Sequence, residues 1–103
     1  MRFRDLYAPL RAGGLVQNQR DLSRMCGKAE SYVSSRQSRG ADPSDHALMN
    51  IYLELDALDQ EFRNIILTGK SLTEAEQKAA RITYFVQQEV FEELRRRRKG
   101  GGK

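Results

Sequence analysis

The sequence predicts an all-α fold, and three features predict it. Alternating apolar–polar runs and Asn-Gly or Asp-Gly hairpin turns are absent, so strands leave no signal. Apolar residues recur instead at three- and four-residue intervals through most of the chain. Glycines and capping residues cut that periodicity into five segments, the last of them long.

Phe3, Leu6, Tyr7 and Leu10 fall at i, i+3, i+4 and i+7, the stripe of a short amphipathic helix. Pro9 removes a backbone donor and crowds the carbonyl four residues earlier. The helix is therefore expected to begin near Asp5, which leaves Pro9 at the edge of its first turn. Gly13-Gly14 ends it. Asn18 is a good N-cap, and Gln19 to Cys26 reads as a second short helix stopped by Gly27. Ala29 to Ser38 forms the third segment, closed by Gly40. Ser44 or Asp45 caps a fourth helix through Ala47, Leu48, Ile51, Tyr52, Leu55 and Leu58. Its stripe continues to Phe62, Ile65 and Ile66, giving either one helix of roughly 24 residues or one broken near Asp56 to Gln60. Ser71 with Glu74 and Thr73 with Glu76 form overlapping capping-box patterns. A fifth helix follows, with Ala79, Ile82, Val86, Val90 and Leu94 on one face, widened by Tyr84, Phe85 and Phe91. Arg95 to Arg98 place cations at its C-terminal end, where the helix dipole favours them.

At 103 residues with 39% apolar content, the chain builds one small core and gains stability from a partner. No apolar run reaches about 18 residues, so no membrane span and no membrane partner are expected. Met1 to Tyr7 lacks the apolar region of a signal peptide. The one cysteine excludes an internal disulfide framework and a cysteine-based zinc site. With one histidine besides, metal or Ser-His-Asp chemistry is hard to assemble. The expectation is a cytoplasmic protein that is not an enzyme and needs no cofactor. Charge is uneven: Met1 to Gly40 holds eight Lys or Arg against three acids. Ala41 to Leu94 holds four against eleven, and Arg95 to Lys103 six against none. The basic segments suit a polyanion, and the acidic middle does not.

Gln19 to Ser34 carries the information. A short helix, a glycine, a turn and a second short helix succeed one another, with small Ser23 where two steeply crossed helices would meet. Gly27 suits the positive φ of the turn, and Leu22, Cys26 and Val33 face inward with Tyr32 at the margin. The segment resembles the helix-turn-helix of the lambda-repressor-like (Xre-like) DNA-binding proteins. The matching residues are Gln19, Leu22-Ser23, Gly27, Ser31-Tyr32-Val33-Ser34 and Arg39-Gly40. It also resembles a group of small bacterial proteins of uncharacterised domain. Lys28 and Arg36 stand where the helix-turn-helix family has apolar residues, and one extra residue precedes Arg39-Gly40.

The resemblance implies a fold: an N-terminal helix-turn-helix bundle of about four helices plus a long C-terminal helix. It also implies a function, sequence-specific transcriptional regulation by a dimer on double-stranded DNA. The third helix would enter the major groove and offer Ala29, Glu30, Ser31, Ser34 and Ser35 to base edges. Asn18 and Gln19 would meet phosphate at the start of the second helix, and Arg20, Lys28, Arg36 and Arg39 would add sequence-independent attraction. The fifth helix shows more apolar surface than one preceding helix covers. A homodimer seam is therefore expected through Ile82, Phe85, Val86, Val90 and Leu94, the alternative being an intramolecular hairpin with the fourth helix. The rival function is a small protein–protein adaptor or antiactivator that uses the same scaffold without DNA, with a protein partner on the C-terminal helix.

Residues 1–58 are thus the expected DNA-binding region, 59–98 the dimerisation region and 99–103 a flexible basic tail. Cys26 reads as a buried small hydrophobe, and His46 as a surface or capping residue beside Asp42 and Asp45. Glu54, Asp56, Asp59 and Glu61 scatter around a solvated helix surface, so they make no catalytic cluster. The Arg95–Lys99 run fits nucleic-acid contact, helix capping or solubility alike.

Overall fold

The computed structural model describes residues 1–101, and its two long helices frame everything else. Five helices occur in the order α1 (Phe3–Ala12), α2 (Gln19–Met25), α3 (Tyr32–Ser38), α4 (Asp45–Leu67) and α5 (Glu74–Gly101). Among the described residues there is no strand, so the all-α expectation holds. None of these helices is long and apolar enough to cross a membrane.

Local chemistry sets each boundary. The Arg2 N–H donates to Asp5 Oδ2 at 2.8 Å, which starts α1 at Phe3 rather than near Asp5. Pro9 consequently lies inside the helix and not at its first turn, at the loss of one ladder hydrogen bond. Ser44 Oγ accepts from the Ala47 N–H at 3.1 Å and opens α4. That helix runs unbroken for 23 residues. Gln60–Asp56 and Arg63–Asp59 bonds, each four residues apart, span the stretch where a break was the alternative. Thr73 and Glu76 form a reciprocal capping box at 2.9 and 3.1 Å, and the Ser71–Glu74 pattern goes unused. At the other end α5 continues through Lys99 to Gly101, where a flexible tail was expected. Arg95, Arg96 and Arg97 pair with Glu92 and Glu93 one turn back. Gly102 and Lys103, the end of that expected tail, lie outside the described residues.

The core joins all five helices. Leu22, Cys26, Val33, Leu48 and Ile51 are buried together, as the stripe pattern requires, with Phe3, Leu6, Leu10 and Leu55 around them. Val86 and Val90 correct the expected seam: they are 1% and 0% exposed, sealed within their own chain. Ile82 and Leu94 are half-buried against the same core, and of the five seam residues only Phe85 stands out, at 54% exposure. The reason is that α5 is covered from two directions, by α4 in an antiparallel hairpin and by α1. The expected boundary at 58/59 falls inside continuous α4.

One buried carboxylate fastens the N-terminus to α5. Glu93 sits 3.3 Å from the Met1 ammonium, 2.6 Å from Arg96 and 2.8 Å from Arg97. Arg97 reaches on to the Pro43 carbonyl and Asp45, both at 2.8 Å, and so ties α5 to the start of α4. Burial alone would raise the Glu93 pKa. The bonds from Arg97 and Met1 outweigh it and hold the carboxyl below its usual range.

Candidate nucleic-acid interface

The α2–α3 unit is built around a hydroxyl and a glycine. Asn18 Oδ1 accepts from the Asp21 N–H at 3.0 Å and caps α2. Ser23 is fully buried; its Oγ donates to the Gln19 carbonyl at 3.0 Å and accepts from the Val33 N–H at 3.1 Å. One side chain thereby fixes α3 on α2. Gly27 adopts φ +70°, and an added Cβ would fall 2.5 Å from Asn50 Nδ2. Asn50 needs that space, because it donates to the Cys26 carbonyl at 2.9 Å and ties the turn to α4. Cys26 is sealed beneath, as expected, and burial pushes its thiol up to about 12 against the opposing effect of nearby Lys28.

The third helix begins at Tyr32, not Ala29. Lys28 N–H bonds the Ser23 carbonyl and Tyr32 N–H the Ala29 carbonyl, which closes a turn there. Ala29, Glu30 and Ser31 therefore stand exposed in the turn ahead of the helix.

Lys28 and Arg36 are taken up by Tyr32 rather than left to solvent. The Lys28 ammonium lies 5.8 Å from the ring centroid and the Arg36 guanidinium 5.6 Å, one turn to either side along the chain. Lys28 Nζ is also 3.1 Å from His46 Nδ1, and Arg36 donates twice to the Asp42 carbonyl, at 2.9 and 2.6 Å. Tyr32 meets Phe3 edge-on at 5.9 Å, and its hydroxyl bonds Ser44, the cap of α4. Two cations thus become the walls of an aromatic clamp. They hold the fold.

The other sequence-predicted residues share the outer surface. Asn18, Gln19, Arg20, Ser34, Ser35 and Arg39 are all exposed. Gln19 Nε2 donates to Gln37 Oε1 at 3.0 Å, joining the start of α2 to α3. Arg24 bridges Asp21 and Glu30, the latter at 3.5 Å with both side chains 59% exposed. The Gln17 N–H and then Arg24 hold the Asp21 carboxyl below its usual range. No carboxylate lies on α3, whose outward residues are Ser34, Ser35, Gln37 and Ser38. Sequence reasoning missed Arg2 and Arg4. They line a cleft of about 470 Å³ that also includes Gln37 and Gly40, at the C-terminal end of α3. Their signal was the bracketing of Phe3, the first buried residue, by two arginines. By contrast, most of the Arg95–Lys99 run is engaged: Arg95 with Glu92 and the Phe91 ring, Arg96 and Arg97 with Glu93.

A model for a family of unknown function, DUF6626, matches residues 3–101. The chain belongs to this family. No curated protein and no solved structure matches it. The DUF6626 match runs across all five helices, so the α2–α3 unit and the α4–α5 hairpin belong to one family module.

Proposed function

We infer that the protein is a DNA-binding regulator that acts as a homodimer and presents the α2–α3 unit to the major groove. One observation carries the reading: α3 is rigidly mounted through Ser23 and shows an outer surface free of carboxylate. Arg4 lines a cleft with Gln37, Arg39 stands at the C-terminal end of α3 and Arg20 follows Gln19 on α2; all three are exposed and without a side-chain partner among the described residues. Small hydroxyl residues let a helix approach base edges closely, and the flanking cations supply attraction to phosphate. Glu30, poised in the turn and held only by an exposed ion pair, is the residue suited to accept from a cytosine amine. Occupancy of the site by two such units would block or recruit polymerase.

Electrophoretic mobility of random duplex DNA at low and moderate salt tests it. A salt-sensitive shift is expected. Arg20→Ala and Arg39→Ala each weaken binding to all duplexes alike and flatten the salt slope by about one unit per lost phosphate contact. Glu30→Ala keeps or raises non-specific affinity while sequence preference falls. The adaptor reading draws on the engagement of Lys28 and Arg36 within the fold, which lowers the free cation count at this face. Absence of any salt-sensitive shift selects it.

A further inference from the structure

Where the C-terminal half of α5 runs back along the first turns of α4, an open cleft of about 500 Å³ lies between them. Its floor is apolar, made by Met49 of α4 with Phe91 and Leu94 of α5. Met49 and Phe91 are 46% and 42% exposed, and Leu53, one turn further along α4, is 56% exposed. No residue of α1, α2 or α3 lines the cleft, so the short helices that seal the core leave this side open.

The rim is basic. Four charged residues line it, and two of them, Asp45 and Arg97, satisfy each other at 2.8 Å. That leaves Arg95 and Arg98, one turn apart on the same edge of α5. Arg98 is exposed and has no ionic partner among the described residues. Arg95 has Glu92 at 3.5 Å, an exposed pair that holds weakly. The charge left over at the rim is positive.

An apolar recess edged by two cations one helical turn apart fits a chain segment of matching pattern: apolar anchors on one side, carboxylates one turn apart beside them. A methionine in the floor lets anchors of several shapes seat there. A nucleic acid suits the cleft less. Phe91 already carries the Arg95 guanidinium at 5.8 Å from its centroid and meets the Tyr52 ring at 6.2 Å, so base stacking must displace contacts already made. A lipid surface reaches side chains that protrude, not the floor of a recess.

We propose that this cleft docks an acidic amphipathic segment of a partner protein, its apolar side chains on Met49 and Phe91 and its carboxylates on Arg95 and Arg98. No lining residue belongs to the α2–α3 unit, so the inference depends neither on DNA contact nor on the homodimer.

Fluorescence anisotropy on the full chain is the experiment, with a labelled helical peptide that carries Leu and Phe on one face and Glu at four-residue spacing beside them. Binding in the micromolar range that weakens as salt rises is expected. Met49→Asp should weaken it about tenfold and Arg98→Glu about fivefold, both with unchanged helical circular dichroism. Lys78→Glu, an exposed cation on α5 outside the cleft, should leave it unchanged. Peptides with Gln in place of Glu, or Ser in place of Leu and Phe, should bind poorly. No binding overturns the proposal, as does binding that survives Met49→Asp or is equally strong with the Gln peptide. A single-stranded oligonucleotide or phosphatidylglycerol vesicles held tightly by the wild type and lost to Met49→Asp assign the cleft to that ligand and overturn it too. Self-association lost to Met49→Asp in sedimentation does the same in favour of a second copy. Duplex mobility shifts on these variants keep the two ideas apart: a DNA shift without peptide binding sinks only the cleft, and peptide binding without a shift sinks only the DNA reading.

Discussion

One hydroxyl holds the two short helices together, and its removal should be felt. Ser23→Ala leaves the buried Val33 N–H without an acceptor, which costs about 1–3 kcal/mol. Urea unfolding should report that loss, with little change in the slope of the transition. Gly27→Ala combines a left-handed backbone with a 2.5 Å approach to Asn50 and should destabilise by at least about 1 kcal/mol in the same assay. Both residues were legible in the sequence, because a crossing needs a small side chain and a turn of positive φ needs glycine. The roles of Lys28 and Arg36 were not. Their spacing of four residues on either side of Tyr32 acquires meaning only once α3 places the ring between them. Charge by itself pointed them at phosphate.

Among the helices, the periodicity gave five segments in the right order, and the errors lie at their ends and partners. Ala29 to Ser31 were expected in α3 because nothing in their composition opposes a helix; backbone bonds from Lys28 and Tyr32 decide otherwise. For α5, the surplus of apolar residues was real, but the sequence could not show that α1 as well as α4 would lie on it. Val86 and Val90 were thus assigned to a partner when they belong to the core. Val90→Ala should accordingly destabilise the folded chain by about 1–3 kcal/mol through the cavity it opens, as read by thermal unfolding. Thr73→Ala removes the cap of α5 and should cost about 1 kcal/mol, as measured by chemical denaturation.

Across the whole molecule, the N-terminal ammonium and α5 meet at Glu93, and Arg97 links that junction to the start of α4. The folded-state pKa of Glu93 is depressed, so its stabilisation is present above the unfolded pKa, near 4.5, and is lost as the pH falls through the lower folded value. Glu93→Gln should therefore destabilise at neutral pH, by roughly 1–3 kcal/mol, and the gap to the wild type should close in acid. Unfolding curves at pH 7 and at about pH 3 check the sign. A gap that widens on acidification would falsify the assignment. No periodicity hints at this junction, because Glu93 looks like one more solvated acid until the fold brings Met1 and Arg97 to it.

Cys26 turns the protein into its own clock. It is the chain's one cysteine, buried, with its thiol pushed up to about 12, so at pH 8 the folded molecule offers almost no thiolate to an alkylating reagent. Labelling must wait for an opening, and its rate measures how often the turn between α2 and α3 comes apart. Variants then sort by where they act. Ser23→Ala and Gly27→Ala should speed labelling directly. Thr73→Ala, at the far end of the hairpin, should speed it only to the extent that the whole chain opens as one, so a stopwatch and a thiol reagent suffice to tell local breathing from global unfolding.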